Sequence, residues 1–193
     1  MFVGKTGCGK TTLAYRIVSR YKHAVVLDIK GEMTEKDWAG FTVFSSFDNL
    51  RKADKRITKR IYQPNIFEQN SEYYERFFQW IYERRNTCVY IDEVLGLCRS
   101  WSDIPFYYKG ILTRGRQRGI ACLQATQTPM NIPHALLSQS EIYYVFFCKM
   151  PQDREKIEKI TGISQDAQAS LNDFEFLVAT DRDYSLQKRR LKL

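Results

Sequence analysis

The stretch Gly4-Lys5-Thr6-Gly7-Cys8-Gly9-Lys10-Thr11 has the form G-x-x-x-x-G-K-[ST], which few architectures can carry. Its glycines let the backbone bend until successive N–H groups converge on phosphate oxygens. That geometry needs a helix leaving the loop, because a helix N-terminus adds a dipole that favours an anion. Thr12-Leu13-Ala14-Tyr15-Arg16-Ile17-Val18 supplies it, with apolar positions at helical spacing. In this pattern the cradle runs from Gly4 to Thr12, Lys10 reaches the β- and γ-phosphates of a nucleotide, and Thr11 takes Mg²⁺. Cys8 reads as a small residue tolerated in the loop rather than an oxidation-sensitive thiol.

Only three residues precede Gly4, whereas strands typically run to roughly five or six. The strand feeding the loop is therefore expected to be short, or to start upstream of Met1. The length of 193 residues suits a single domain over 1–193 with a sizeable core. No apolar run approaches the ~20 residues of a membrane helix, and the loop sits where a signal peptide would need its apolar stretch, so a soluble chain is expected. Five cysteines without a C-x-x-C pair suit reduced thiols in a cytosol-like compartment. The net charge of +8 suits a polyanionic partner. Its basic residues gather in 51–60, in Arg114-Gly115-Arg116-Gln117-Arg118, and in Lys188-Arg189-Arg190-Leu191-Lys192.

Short apolar strands alternate with amphipathic helices, the pattern of an α/β domain with a mostly parallel sheet. Strands are expected at 2–3, 24–28, 42–44, 60–62, 88–92, 120–126 and 142–148. Helices are expected at 11–21, 70–84, 103–114, 132–138 and 151–160. The segments 174–179 and 184–191, split by Asp181-Arg182-Asp183, read as a C-terminal hairpin. Aromatics in Tyr73-Tyr74-Glu75-Arg76-Phe77-Phe78-Gln79-Trp80 recur at helical spacing and read as a buried face rather than a base-stacking surface.

Cys88-Val89-Tyr90-Ile91-Asp92-Glu93 is an apolar strand ending in two acids, which brings both carboxylates to the sheet edge where open α/β folds bind ligands. Asp92 would hold Mg²⁺ and Glu93 would orient and deprotonate an attacking water. A second buried strand, Ile120 to Thr126, ends in Gln127 before a proline that stops it, which read alone is ordinary strand-end polarity. The order of the segments resembles P-loop ATPases with a catalytic glutamate, where this strand lies between the two that carry the nucleotide motifs; that resemblance implies that Gln127 sits at the γ-phosphate and distinguishes ATP from ADP.

These segments, in this order, resemble the FtsK–HerA superfamily of ring-shaped, DNA-pumping P-loop ATPases. Gly4–Thr11 is similar to its Walker A loop, and Asp28-Ile29-Lys30-Gly31-Glu32 to its D-P-K-G-E signature, with Ile29 in place of proline. Ile91-Asp92-Glu93 is similar to Walker B, Gly115-Arg116-Gln117-Arg118-Gly119-Ile120 to G-R-x-x-G-I, and Ala125-Thr126-Gln127-Thr128-Pro129 to A-T-Q-x-P. The resemblance implies a RecA-like P-loop ATPase fold of the ASCE type, a central mostly parallel sheet flanked by helices with a C-terminal β-hairpin. It implies ATP and Mg²⁺ at the site and a homo-oligomeric ring, hexameric or pentameric. It also implies that Arg116 enters the neighbouring subunit's site as a finger. Arg114 and Arg118 compete for that role, and all three could instead touch DNA phosphates.

The layout expected from these 193 residues is a bare ATPase segment, without a preceding barrel, a membrane span or a winged helix. Within the superfamily this bare layout resembles the genome-packaging ATPases of membrane-containing icosahedral viruses. The partners then implied are double-stranded DNA, capsid or portal vertex proteins, and an internal viral membrane, with action in host cytoplasm or at the virion portal vertex. Lys36, Lys52, Lys55, Arg56, Lys59 and Arg60 are the expected pore contacts. A secretion or assembly ATPase of the zonular-occludens-toxin-like type and a cellular HerA/FtsK-like translocase are the alternatives.

Overall fold

Residues 24–27 and 88–91 are apolar at every position, as strands covered on both faces must be, and they lie side by side in register, Ala24 opposite Cys88. The computed structural model describes residues 1–98, 100, 102–180 and 183–191. In chain order the elements are β1 (Phe2–Val3), α1 (Lys10–Val18), β2 (Ala24–Leu27), β3 (Thr42–Phe44), α2 (Phe47–Lys52), β4 (Lys59–Tyr62), α3 (Ser71–Glu83) and β5 (Cys88–Ile91). There follow α4 (Phe106–Arg114), β6 (Ala121–Thr126), α5 (His134–Leu137), β7 (Ile142–Val145), α6 (Pro151–Thr161), α7 (Gln165–Ala169), β8 (Glu175–Thr180) and β9 (Asp183–Arg190). One nine-stranded sheet runs in the order β3-β4-β2-β5-β6-β1-β7-β8-β9. Strands β1 to β7 pair in parallel, while β8 and β9 join antiparallel as the expected hairpin.

The strand period of two divides the core into two layers. Val25, Leu27, Val89 and Ile91 face one cluster together with Phe77, Phe78 and Ile81 of α3 and Tyr108 and Ile111 of α4. Ala24, Val26, Cys88 and Tyr90 face the other, with Ala14 and Val18 of α1, Trp38 and Phe41. The aromatic stripe of α3 is thus a core face, and Phe78 stacks on Tyr108 at 4.5 Å.

Helix boundaries shift where capping chemistry dictates. Pro105 stands at the N-cap of α4, so the expected 103–114 helix begins at Phe106. Pro133 likewise confines the expected 132–138 helix to four residues. The ladder of β7 ends at Val145, and the expected strand residues 146–148 serve as a connection whose Phe147 carbonyl accepts from the Lys5 N–H at 2.9 Å. Helices α2 and α7 were not expected, although Ser46 and Ser164 cap them through the N–H groups of Asn49 and Ala167. Of the expected hairpin turn, Asp181 and Arg182 lie outside the described residues, as does Lys192 of the third basic cluster.

A parallel sheet has two unlike edges, and this one sorts the functional residues. The loops after β1, β2, β5 and β6 leave from the carboxyl edge. Segment 53–58 before β4 and segment 115–120 before β6 lie at the amino edge. Strand β1 is short, pairing only Phe2 with Ala125 and Val3 with Thr126 on β6.

Candidate active site

Gly4 has φ 148° and Gly9 φ 104°, a region that L side chains rarely adopt. A Cβ on Gly4 would stand 2.7 Å from Cβ of Phe146, and one on Gly9 2.9 Å from the side chains of Phe174 and Leu191. The loop thereby lies against its surroundings as only glycine allows. Its first turn is held by the Gly4 N–H donating to Thr126 (3.3 Å) and the Lys5 N–H to Phe147 (2.9 Å). Helix α1 starts with no side-chain cap and no acid in its first turn, so nothing on the helix competes with a phosphate for its terminal N–H groups.

Lys10 is 7 % exposed, and its Nζ donates to the carbonyls of Gly4 and Lys5, both at 2.8 Å. Burial lowers its pKa, partly opposed by Cys8, Asp92 and Glu93. Thr12 is half-buried on α1. Cys8 is buried beside Lys10, and burial pushes its thiol up, which fits a packed small residue and not a reactive thiolate.

Strand β5 delivers the two acids. Asp92 follows Tyr90 by two residues, hence on the face that α1 covers, and the Thr11 hydroxyl donates to its Oδ1 at 3.2 Å. The Tyr90 hydroxyl donates to the same oxygen at 2.8 Å; burial raises Tyr90 well above its ordinary value, so it remains a donor. A hydroxyl and a carboxylate are hard oxygen ligands of the kind Mg²⁺ takes alongside phosphates. Among the described residues no group of three or more His, Cys, Asp or Glu could hold a metal alone. The donor set therefore fits an ion shared with a nucleotide.

Glu93 has a side chain only 14 % exposed, 3.9 Å from the Lys30 ammonium. Burial raises its pKa, while the Thr126 hydroxyl and Lys30 hold it down. It borders a cavity of about 570 Å³ with Leu95, Gly96 and Asn131. Gln127, at the end of the strand lying between β5 and β1, accepts from the Thr6 hydroxyl at 2.6 Å. Lys10, Thr11, Asp92, Glu93 and Gln127 are thus brought to one edge around one loop.

Arg116 is not among them. It lies at the amino edge, its side chain 83 % exposed and 3.7 Å from Glu141. The six residues of β6 separate it from Gln127, roughly 20 Å at ~3.3 Å per residue. Arg118 is committed elsewhere: its Nε donates to the Tyr82 carbonyl at 2.7 Å and its guanidinium lies 4.3 Å over the Tyr82 ring. Arg114 is exposed at the end of α4. One expected pore contact is corrected. Arg60 is 2 % exposed, and its guanidinium donates to the carbonyls of Leu50 and Ile57 (2.8 Å each), Asp54 (3.0 Å) and Ala53 (3.4 Å). It braces the end of α2, where carbonyls lack helical partners. Lys59, too, is half-buried, with its Nζ on the Ser19 carbonyl at 2.7 Å.

Sequence reasoning passed over two contributors. Tyr90 was legible as the residue two before Asp92, on the same strand face. Lys30 stood only within a signature; the buried Asp28 shapes its loop by accepting from the N–H groups of Gly31 (3.0 Å) and Met33 (2.8 Å) and from Gln63 (2.9 Å).

A phosphate cradle, an acid pair and a polar strand end on one parallel sheet define a P-loop ATPase domain. The family described as "ATPase family associated with various cellular activities (AAA)" matches residues 1–148, and the chain belongs to it. No curated protein sequence matches significantly. Among solved structures, the genome packaging NTPase B204 from Sulfolobus turreted icosahedral virus 2, in complex with sulfate, superposes with a TM-score of 0.82 at 15% identity, covering 100% of this chain and 95% of that one. VirB4 of Thermoanaerobacter pseudethanolicus gives 0.70 at 13% identity, covering 100% and 88%. The N-terminal domain of zonular occludens toxin from Neisseria meningitidis gives 0.51 at 16% identity, covering 100% and 92%. At such identities the likeness is one of fold. No described helix is long and apolar enough to cross a membrane.

Proposed function

We propose that this chain is an ATP-hydrolysing motor that drives double-stranded DNA, and that its task is packaging a viral genome into a preformed capsid. One observation carries the reading. Lys10, Glu93 and Gln127 share the carboxyl edge, while the exposed Arg116 stands at the amino edge roughly 20 Å away. Arg116 can serve such a site only from a neighbouring subunit, which is how a ring, hexameric or pentameric, divides its active sites.

In the proposed cycle the loop N–H groups bind the phosphates, and Lys10 turns from the Gly4 and Lys5 carbonyls to the β/γ-phosphates. Thr11 and Asp92 would hold Mg²⁺, which supplies charge neutralisation at the phosphates. Glu93 is a stronger base than a solvated carboxylate because burial raises its pKa, and Lys30 helps to keep it ionised. It takes a proton from the water that attacks the γ-phosphorus as the bond to the β-phosphate oxygen breaks. Arg116 of the neighbour stabilises the charge on the transferring group, a contribution of about 10³–10⁵ in rate for such fingers. Gln127, tied to Thr6 of the loop, registers the γ-phosphate. Exposed Lys36, Lys52 and Lys55 offer charge for duplex phosphates without sequence readout, as does Arg56 once released from its pair with Asp54. Capsid or portal vertex proteins and an internal viral membrane are the assembly partners of this reading, in host cytoplasm and at the virion vertex.

The likeness to VirB4 and to zonular occludens toxin supports a second reading, an ATPase serving secretion or assembly. ATP turnover with and without duplex DNA separates the two: stimulation supports packaging, and its absence sinks it. Mixed subunits test the finger. Arg116→Ala and Glu93→Gln chains, each inactive alone, should recover part of the activity together, because one interface type then holds both intact residues.

A further inference from the structure

The phosphate loop is gripped from outside its own motif by residues between α7 and the end of the C-terminal hairpin. Asp173 Oδ1 lies 2.9 Å from the Lys5 ammonium, at the first half of the loop. The Phe174 N–H donates to the Cys8 carbonyl at 3.2 Å, at its second half. The Phe174 ring and the Leu191 side chain cover Gly9, and the Leu191 N–H donates to the Phe174 carbonyl at 2.9 Å. Turn and hairpin end are therefore joined to each other as well as to the loop.

Phe174 holds φ 66°, and among the described residues Asn86 is the other non-glycine at positive φ. A bulky residue in that region persists only where its surroundings over-determine it. Here the surroundings are the Cys8 carbonyl and the Gly9 backbone, parts of the loop whose N–H groups bind phosphate. Phosphate binding cannot rearrange residues 5 to 9 without changing what Asp173, Phe174 and Leu191 pack against. From those residues the path runs directly into β8 and into β9, the outermost strand of the sheet, whose Lys188, Arg189 and Arg190 are exposed.

We propose that the Asp173–Phe174 turn is a positioning element for the phosphate loop and couples nucleotide occupancy to the β8–β9 hairpin. The coupling rests on the reading of Gly4–Thr11 as the nucleotide site. By linkage, whatever engages the hairpin changes nucleotide affinity by the same factor as nucleotide changes that engagement.

The test combines hydrogen exchange with steady-state kinetics on the full chain, using AMPPCP as the exchange probe. In the wild type, AMPPCP should slow amide exchange across 175–180 and 183–190. Asp173→Asn removes the ion pair, and Phe174→Gly removes the ring while accepting the positive φ. Each should raise KM for ATP by about five- to tenfold, at the lower end of typical coupling, with kcat within twofold; Tm should be unchanged in Asp173→Asn and lower in Phe174→Gly, which loses a ring packed against the core. Each should also erase the protection by AMPPCP, and Asp173→Glu should restore both readouts. A wild type that binds AMPPCP without altering hairpin exchange overturns the coupling. So do variants in which kcat and Tm fall together at unchanged KM. Failure of the wild type to bind AMPPCP removes the nucleotide site itself, and the coupling with it.

Discussion

Removing one buried hydroxyl, in Tyr90→Phe, probes the metal half of the site, where that hydroxyl meets Asp92 and Thr11. The Tyr90 hydroxyl donates to Asp92 Oδ1 at 2.8 Å, and its ring lies between Trp38 (5.9 Å, stacked) and Phe2 (5.9 Å, edge-on). Phenylalanine keeps both ring contacts and deletes only the hydroxyl. A hydrogen bond to a charged group contributes about 1.5–3 kcal/mol, and loss of an outer partner of a metal ligand costs about 10–100-fold in metal affinity. Asp92 retains the longer Thr11 contact at 3.2 Å, so its carboxylate stays near the loop but loses its orientation. The expected result is a rise of roughly 10–100-fold in the Mg²⁺ concentration giving half-maximal ATP turnover, with kcat at saturating Mg²⁺ near wild type. The Tm should fall by no more than roughly 3–12 °C, the equivalent of that one hydrogen bond, because no apolar contact is lost. The assay is ATPase rate against Mg²⁺ at fixed ATP, paired with thermal melting. An unchanged Mg²⁺ requirement would refute both the role of Tyr90 and the placement of Mg²⁺ on Asp92.

Arg60→Met should act on stability. It abandons four carbonyls, of which that of Asp54 keeps the Ile57 N–H; the other three, at about 1–3 kcal/mol each, amount to roughly 3–9 kcal/mol. That corresponds to a Tm lower by at least roughly 6 °C; an unchanged Tm with lost stimulation by duplex DNA would return Arg60 to the DNA surface. Glu175 sets an acid limit on the C-terminal hairpin. The Asn172 N–H first, then Lys188, lowers its pKa from 4.5 to about 2. A depressed carboxylate stabilises the fold above its unfolded value, and that contribution is lost as pH falls from 4.5 through about 2. Thermal melts between pH 5 and 2 should therefore fall less steeply for Glu175→Gln than for the wild type, and equal slopes would contradict the assignment.

Much of this was legible because it depends on local chemistry. The loop needs only glycines, Lys10 and Thr11 before a helix, and β5 needs only an apolar run ending in Asp92-Glu93. Both are contiguous signals, and so is the hairpin of β8 and β9. What was not legible depends on residues distant in the chain. Arg60 looked like one more surface cation because its carbonyl partners on 50–57 become partners only when α2 forms, and α2 is announced by little more than the Ser46 cap. Asp173 and Phe174 carry no motif; their contact with Lys5 and Cys8 exists because β7, β8 and β9 extend the sheet on the β1 side of the loop.

The basic clusters are where sequence position could have decided more than composition did. In a parallel sheet every strand points the same way, so a residue just after a strand lies on the ligand edge and one just before a strand lies on the opposite edge. Gln127 follows β6 and Lys30 follows β2, and both lie at the phosphate loop or at Glu93. Arg116 precedes β6, while Arg51 to Arg56 precede β4, so all of them belong to the far edge. Assigned strands alone therefore exclude Arg116 from the site built on its own Lys10 and Glu93. For the same reason the exposed cations of 51–56 stand away from any phosphate bound at the loop of the same chain, and Arg56 among them is paired with Asp54 at 2.7 Å.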